Sequence, residues 1–468
     1  MDGFYVAGFH NSIRRVSPEP PFRVTTVRGR SGESGSRDGQ ALDARFGIAF
    51  GIHAHPDGER IYYMDRGANN IREFNTILGR VRTVMGAPRP DDWTDGAFAE
   101  ARFRTPAGLA QTANGRFVYV ADESNHVIRR MDLAQRRIET LVGLPVTPGF
   151  ADGVADDALL AHPYALALSA DERQLYISFF NLFSVGNRAV RVLDTETLEL
   201  TTLAGGPDRL VAFDAAGAPV EGTVIEGALA DTHWGDTSGL ALDDARGLLY
   251  VSDRSLNRIR VIDLEAGTVR TLAGGASPPM VQAVDENGDP EVDEDGDPVL
   301  VVADTYEVDG TGEAAILNRP MGLALRSDGS TLYVVEMSHH LVRRIDTQTG
   351  EVSTIAGEYG MPGAFDDVGL DAAFDSPTSL VLNEDESALL VVDRGNAAVR
   401  RVDLATAEVT TVAGELGIRG GLGFAIVPLS RSRFYFPVAL TRSGRDVLLT
   451  DRNVVYRVEA LAAAQEAE

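Results

Sequence analysis

Residues 249–275 read LYVSDRSLNRIRVIDLEAGTVRTLAGG, and the chain repeats this pattern several times. Near copies begin at Phe117 (FVYVADESNHVIRRMDLAQRRIETLVG), at Leu332 (LYVVEMSHHLVRRIDTQTGEVSTIAG) and at Leu389 (LLVVDRGNAAVRRVDLATAEVTTVAG). Each copy contains short β-branched segments in which apolar and polar residues alternate, and turn residues separate them. One unit, with the alternating segment SGLALD before it, therefore predicts four short strands in an antiparallel meander.

The copies align on a β-branched residue followed by arginine in the third strand. These pairs are Ile13-Arg14, Ile71-Arg72, Ile128-Arg129, Val190-Arg191, Ile259-Arg260, Val342-Arg343 and Val399-Arg400. An acid stands seven residues before most of the arginines, at Asp65, Asp122, Asp253, Glu336 and Asp393. We interpret these pairs as hydrogen bonds within or between units, because a single active site requires unique residues rather than repeated ones.

The connection into each first strand also repeats. Examples are DGAFAEARFRTP at Asp95 to Pro106, DGVADDALLAHP at Asp152 to Pro163 and DGTGEAAILNRP at Asp309 to Pro320. Glycine permits a sharp turn, and aspartate accepts hydrogen bonds from nearby backbone amides. The alanine and the large apolar residue that follow are predicted to wedge between neighbouring meanders.

A four-stranded meander cannot bury both faces alone, and radial stacking in a closed ring solves this problem. The sequence therefore predicts an all-β fold, a β-propeller of four-stranded antiparallel blades. We expect eight repeat units in one ring with incomplete terminal blades, and the alternative is seven blades. The pattern YVxD…N…IRxID…TG.V.TLAG resembles the NHL repeat over about residues 3–459. A single propeller is predicted over 1–459, followed by a frayed or disordered tail over 460–468.

Composition excludes several kinds of chemistry. The chain of 468 residues has no cysteine, and all 43 of its basic residues are arginine. Disulfides, thiolate metal sites and lysine Schiff bases are thereby excluded. The net charge of −26 disfavours nucleic acid and anionic membrane surfaces as partners.

No apolar run is long enough for a membrane span, and no secretory signal is visible. The sequence as written predicts a cytoplasmic protein, or an exported or cell-surface one if an upstream segment is missing.

Two insertions interrupt the repeats, at about 208–226 and 278–306. Asn287-Gly288 and Asp295-Gly296 are two-residue hairpin signals within the second insertion. We predict projecting hairpins here, and the alternative is a weak calcium site. The glycine stands fourth in each acidic motif, whereas a calcium-binding EF-hand loop requires it sixth. No cofactor is predicted.

Candidate ligand residues lie just before each first strand, where they would ring the mouth of the central channel. They are Ile48, Thr105, His162, Asp236, Arg319, Ser376 and Phe436, and His53 is added as a channel-lining residue. His53 replaces a small residue of the other units, and His55 follows it on the same strand face. His339-His340 falls in a second-to-third strand loop, where hydrogen-bonded structural roles are favoured over metal ligation.

The repeats favour a non-catalytic scaffold that presents the face with the long loops to a protein, a peptide or a small ligand. The acidic composition speaks against the RNA-binding members of the family that the chain resembles. One alternative, from related propellers, is a metal-dependent enzyme, lyase or lactonase-like, with its site in the central channel. Another is a structural module of a larger cell-surface protein. No Ser-His-Asp or zinc-helix signature supports catalysis.

Overall fold

The computed structural model describes residues 93–98, 100–180, 188–206, 226–277, 308–383 and 385–412 in full, and Ala283. Outside these ranges it describes the backbone of strands only. The predicted hairpin at 208–226 and the tail at 460–468 therefore lie outside the described residues, apart from Glu226.

Antiparallel sheets make up the described part of the chain, and five of them have five strands each. The first of these sheets comprises β4 (Gly39–Gln40), β5 (Ala49–Ala54), β6 (Arg60–Asp65), β7 (Asn70–Asn75) and β8 (Arg80–Met85). The second comprises β9 (Gly96–Ala97), β10 (Pro106–Gln111), β11 (Phe117–Asp122), β12 (Val127–Asp132) and β13 (Arg137–Val142). The next two are β14 (Gly153–Val154), β15 (Pro163–Leu168), β16 (Gln174–Phe179), β17 (Ala189–Asp194) and β18 (Glu199–Gly205), then β19 (Gly227–Ala228), β20 (Thr237–Asp243), β21 (Leu248–Asp253), β22 (Arg258–Asp263) and β23 (Thr268–Gly274). The last comprises β26 (Gly310–Thr311), β27 (Pro320–Leu325), β28 (Thr331–Glu336), β29 (Leu341–Asp346) and β30 (Glu351–Ala356).

The remaining sheets are smaller. A three-stranded sheet opens the chain with β1 (Phe4–Gly8), β2 (Ser12–Val16) and β3 (Val24–Gly29). A four-stranded sheet consists of β31 (Pro377–Leu382), β32 (Ala388–Asp393), β33 (Ala398–Asp403) and β34 (Val409–Ala413), and a three-stranded one of β35 (Pro437–Ser443), β36 (Asp446–Asp451) and β37 (Val454–Val458). Within the second predicted insertion, β24 (Met280–Gln282) pairs with β25 (Leu300–Val302). Short 3₁₀ turns occur at Glu123–Asn125, Ala155–Asp157, Leu229–Asp231, Gly312–Ala314 and Gly369–Asp371.

The inner strands follow one another around a common axis, in the order β10, β15, β20, β27 and β31. Strand β35 lies beside both β31 and β10. Glycine permits the close approach of these strands: a Cβ on Gly108 would collide with the Tyr164 carbonyl, and one on Gly239 with the Met321 carbonyl. The fold is thus an all-β propeller, as the repeats predict.

The predicted number of blades is wrong. Five complete, five-stranded blades are present among the described strands, rather than eight units in one ring or seven blades. Among the described strands, the two end sheets have three strands each, in agreement with the predicted incomplete terminal blades. The first sheet also contacts the second through β1 and β5, rather than entering the succession of inner strands.

A complete blade has one strand more than the four predicted, and the D-G linker supplies it. The linker pairs with the fourth strand, for example Gly153 with Leu200 and Gly310 with Val352. The linker then turns inward, and its apolar residues fill the space between blades. Leu160 is fully buried with Ile128 of one blade and residues of the next, as the predicted wedge requires.

Candidate functional site

The predicted mouth residues share one backbone conformation. Thr105, His162, Arg319 and Ser376 each have a φ of 50–55°, the left-handed region, immediately before an inner strand. A non-glycine residue in this region needs support from its surroundings. Asp236 occupies the aligned position before β20 without this φ. The structure therefore brings five predicted residues to equivalent positions around the ring.

The other predicted mouth residues cannot be placed in the same way. Ile48, His55 and Phe436 lie outside the described residues. His53 lies on β5, where its backbone is opposite Tyr62.

A side chain of the preceding blade supports each left-handed residue from His162 onward. The amide of His162 donates to His126 Nδ1 at 3.3 Å, that of Arg319 to Asn257 Oδ1 at 2.8 Å and that of Ser376 to His340 Nδ1 at 2.9 Å. We call this contact the interblade clasp. Its acceptor itself has a left-handed φ and immediately precedes the third strand.

Burial keeps two clasp histidines neutral. It lowers the pKa of His126 to about 4, and the neighbouring His162 and Arg104 act in the same direction. Burial also lowers the pKa of His340. A neutral imidazole can accept a hydrogen bond at Nδ1, whereas a protonated one cannot. The role of His340 is therefore structural.

His339, the neighbour of His340, is buried elsewhere. Its Nδ1 lies 2.7 Å from Glu336 Oε2, without hydrogen-bond geometry, and its ring is 4.6 Å from that of Tyr359. The pair thus divides between two different environments, as expected for adjacent residues.

The recurring acid and arginine are hydrogen-bonded pairs, as predicted. Arg400 Nη1 lies 2.8 Å from Asp393 Oδ2, and Arg129 Nη1 lies 3.1 Å from Asp122 Oδ2, with all four side chains fully buried. Burial raises the pKa of Asp122 and Asp393 to about 6, against the lowering effect of the donors around them. These repeated pairs are structural contacts within the blades.

The D-G aspartate joins this network from the linker. Asp309 accepts hydrogen bonds from Arg343 Nη2 at 2.8 Å, from the Thr354 amide at 3.1 Å and from Thr354 Oγ1 at 2.8 Å. Asp95, Asp152 and Asp366 make the same set of contacts in their blades. This aspartate therefore accepts from a backbone amide, but that amide belongs to the fourth strand, 45 residues away, and not to the nearby turn as predicted.

The two ends of the propeller carry different kinds of loop. We call the end with the second-to-third strand loops and the mouth residues the long-loop face, and the other the short-turn face. On the short-turn face, third-to-fourth strand turns close on their own aspartate: Asp132 accepts from the amides of Ala134 and Gln135, and Asp346 from those of Gln348 and Thr349.

Exposed apolar side chains occur on the long-loop face, and others, among them Val154, Val368 and Leu370, lie on the linkers. Leu144 and Val146 lie beside the second-to-third strand loop, where the Val146 amide donates to the Asn125 carbonyl. Tyr359 and Met361 are exposed at the equivalent place three blades on, where the Gly360 amide donates to the His339 carbonyl.

The linkers do not stay on the long-loop face. Each descends the outer edge, where the Ala155 amide reaches the Leu198 carbonyl and the Gly369 amide the Ala407 carbonyl. These carbonyls belong to the turns of the short-turn face. The outermost strand pairs near that end, which explains the detour.

Aromatic and cationic side chains meet at the inner end of the long-loop face. Tyr164, on β15, has its ring 5.0 Å from that of Phe180 and contacts the apolar cluster around Met321 on β27. The Arg254 guanidinium stacks on Phe180, with its Cζ 4.6 Å from the ring centre. Sequence reasoning missed both Tyr164 and Arg254. No other repeat has a tyrosine at the position of Tyr164, whereas arginine also follows the second strand at Arg66 and Arg394, so the sequence did not distinguish Arg254.

Metal ligands do not converge in the described ranges: no group of three or more His, Asp or Glu side chains there could hold an ion. Among the same residues, no helix has the length and apolar character needed to cross a bilayer.

Two kinds of comparison place the chain among known proteins, while no protein-family model matches it. The protein SUPPRESSOR OF QUENCHING 1, chloroplastic, of Arabidopsis thaliana is 26% identical over 322 residues, which cover 68% of this chain and 27% of that protein. NHL repeat-containing protein 2 of Homo sapiens is 25% identical over 342 residues, covering 71% of this chain and 43% of that protein. The chain thus matches less than half the length of these relatives.

Among solved structures, an auxiliary nutrient binding protein from Bacteroides thetaiotaomicron has a TM-score of 0.51 and 13% identity, covering 97% of this chain and 96% of its own. At this identity the similarity is one of fold alone.

Proposed function

Because this chain is an NHL-repeat β-propeller, we propose that it acts as a binding scaffold that holds a peptide, a protein segment or a small ligand on its long-loop face. Propellers of this kind carry many different functions, so the site has to support the proposal rather than the fold.

The observation that carries the proposal is the contrast between the two faces. Turns on the short-turn face satisfy their own amides, as Asp132 and Asp346 illustrate. In the described ranges these strand-connecting turns expose no large apolar side chain, and Val154, Val368 and Leu370 are exposed only on the linkers. The long-loop face exposes Leu144, Val146 and Met361 close to polar loops. Exposed apolar side chains beside polar groups are typical of surfaces that bind a partner.

Peptide selection tests the proposal directly. Random peptides displayed on phage would be selected on the immobilised protein, and the enriched peptides measured against two matched pairs of variants. Leu144→Ser and Met361→Ser alter the long-loop face, whereas Gln135→Ser and Gln348→Ser alter the short-turn face, and all four residues are exposed.

We expect the first pair to weaken peptide binding by about three-fold or more each, since each removes an apolar contact worth about 1 kcal/mol. The second pair should leave binding unchanged. Loss of binding only in the second pair, or selection that enriches no peptide, would contradict the proposal.

A further inference from the structure

The residue that follows each second strand borders the mouth. The amides of Phe180, Arg254 and Met337 donate to the carbonyls of the mouth residues His162, Asp236 and Arg319, at 3.2, 2.8 and 3.1 Å. These positions are equivalent in successive blades, yet their side chains differ. Arg394 follows the second strand of the next sheet in the same way. The inner end of the long-loop face therefore has a composition that the repeat does not impose.

Arg254 is the one buried member of this set, whereas Phe180, Met337 and Arg394 are partly exposed. Only 4% of Arg254 is exposed, and its Nε–H is buried without a hydrogen-bond partner. By contrast, the guanidinium of Arg400 donates to carboxylates and carbonyls. In the described part of the chain Arg254 has no ion pair, and its side chain stacks only on Phe180. A buried cation in this state costs free energy unless an anion joins it.

Other cations lie close to Arg254. The Arg319 amide is bonded to Asn257, whose own amide donates to the Arg254 carbonyl, so Arg319 adjoins the same loop. Burial lowers the pKa of Arg254, and the charges of Arg319 and Arg394 act in the same direction. The negative charge of Asp236 raises the pKa of Arg254, but among the described residues no hydrogen bond joins the Asp236 carboxylate to Arg254.

We propose that Arg254, Arg319 and Arg394 form a binding site for a small oxyanion, a carboxylate or a phosphate, at the inner end of the long-loop face. The guanidinium group matches both anions, because its planar set of N–H donors forms paired hydrogen bonds with two oxygens. This inference rests on the proposed function, since it names a ligand class for the same face.

Tyr164 completes the site from the opposite side. Burial raises the pKa of its phenol to about 12, so the hydroxyl keeps its proton and can donate. Its ring and that of Phe180 supply an apolar wall beside the cations. A ligand with a carboxylate or phosphate group and a small apolar body would contact both parts.

Each test substitution introduces the residue that occupies the equivalent position in another blade. Arg254→Met introduces the residue that Met337 supplies in another blade, and Arg319→Ser introduces that of Ser376, which has the same left-handed φ. The control is Arg246→Gln, an exposed arginine that pairs with Asp243 on the short-turn face. Citrate and inorganic phosphate are the probes, titrated by calorimetry into each protein.

We expect at least one probe to bind the wild type with a dissociation constant below about 10 mM, and Arg254→Met to weaken it about ten-fold or more. Arg319→Ser should weaken it less, because this arginine is exposed, and Arg246→Gln should not change it. The probe that binds more tightly distinguishes a carboxylate site from a phosphate site. Equal affinity in wild type and Arg254→Met, or no binding of either probe, would overturn the inference.

Thermal unfolding without a probe gives a second readout. Arg254→Met should be at least as stable as the wild type, since it removes a buried cation that has no partner. A loss of stability would mean that Arg254 has a structural role, and would overturn the inference. The anion site can fail this test while the proposed function stands, because binding of the selected peptides would still depend on Leu144 and Met361.

Discussion

A single buried arginine per blade joins segments that are far apart in sequence. Arg400 lies 2.8 Å from Asp393 on the second strand, 2.7 Å from Asp366 in the linker, and donates to the Ala373 carbonyl at 3.0 Å and the Phe365 carbonyl at 2.6 Å. Arginine carries five donors in a fixed plane, whereas lysine carries three on one nitrogen. This geometry explains why the repeat requires arginine at this position in a protein that lacks lysine.

Removing this arginine should destabilise the fold strongly. We expect Arg400→Met to lower the free energy of unfolding by about 3–5 kcal/mol, because Asp393 is left buried without its cation. Chemical denaturation measures the change. The double variant Arg400→Met with Asp393→Leu should recover part of the loss, since it removes the orphaned charge. A cost below about 1 kcal/mol for the single variant would show that the pair is dispensable.

The interblade clasp predicts a dependence of stability on pH. The pKa of His126 is about 4 in the folded protein against 6.5 for an ordinary histidine, so folding favours the neutral form. Its contribution is fully present above about pH 6.5 and is lost as the pH falls towards 4. His126→Asn keeps an acceptor, as Asn257 does in its own clasp, but cannot be protonated.

We therefore expect the stability of the wild type to fall relative to His126→Asn by up to about 3 kcal/mol between pH 7 and pH 4. Urea denaturation at several pH values measures the difference. Parallel stability curves for the two proteins would refute this role of His126.

At the scale of the element, the linker aspartate fixes the outermost strand. Asp309 precedes Gly310–Thr311, a two-residue strand that pairs with Val352 and Glu351. Such a short strand has few ladder hydrogen bonds of its own, so the side-chain contacts to Arg343 and Thr354 determine whether it stays in place.

Asp309→Ala should release that strand. We expect a cost of about 1–2 kcal/mol, because the lost hydrogen bonds include one to a charged group that is partly exposed. Hydrogen exchange should speed up at the amides of Thr354 and Thr311. Asp328→Ala, in a first-to-second strand turn, serves as the control and should leave these amides unchanged. Protection that is equal in both variants would contradict the assignment.

Sequence reasoning succeeded where a pattern repeats with the same residue type. The acid seven residues before Arg400, and the D-G aspartate at Asp309, recur in register and so could be interpreted as structural. The interblade clasp was not predicted, because its acceptor is a histidine in one blade, His126, and an asparagine in another, Asn257. Both accept the same hydrogen bond, but they are different residue types. The fifth strand of each blade was not predicted, because a strand of two residues is too short to show an alternation of apolar and polar residues.

The same limit applies to the candidate site. Its position before each inner strand could be predicted, since Thr105 and Ser376 occupy aligned places. Arg254 could not be singled out, because its burial and its stacking on Phe180 depend on packing between blades. Arginine also follows the second strand at Arg66 and Arg394, so the residue type alone could not mark Arg254.

At the scale of the whole molecule, the net charge of the protein is negative, whereas the proposed anion site is positively charged. The net charge of −26 repels anions at long range, but such repulsion is screened within about 10 Å at moderate salt. The contact between a buried guanidinium and an oxyanion is screened much less. The overall acidity therefore disfavours polyanions such as nucleic acid, while one small anion can still contact the arginines.

Closure of the ring provides the last prediction. Strand β35 lies beside β31 and β10, so it joins inner strands of sheets that are far apart in the sequence. A chain that ends at residue 436 would leave both of these strands without that neighbour, with buried residues such as Leu109 and Leu380 close to the new edges. Exposed sheet edges and apolar surface promote aggregation, and each blade depends on its neighbours for burial. We expect this truncated protein to melt at a lower temperature and to associate on size-exclusion chromatography. Removal of residues 460–468 alone should change neither property. If both truncations behaved alike, β35 would not be the strand that closes the ring.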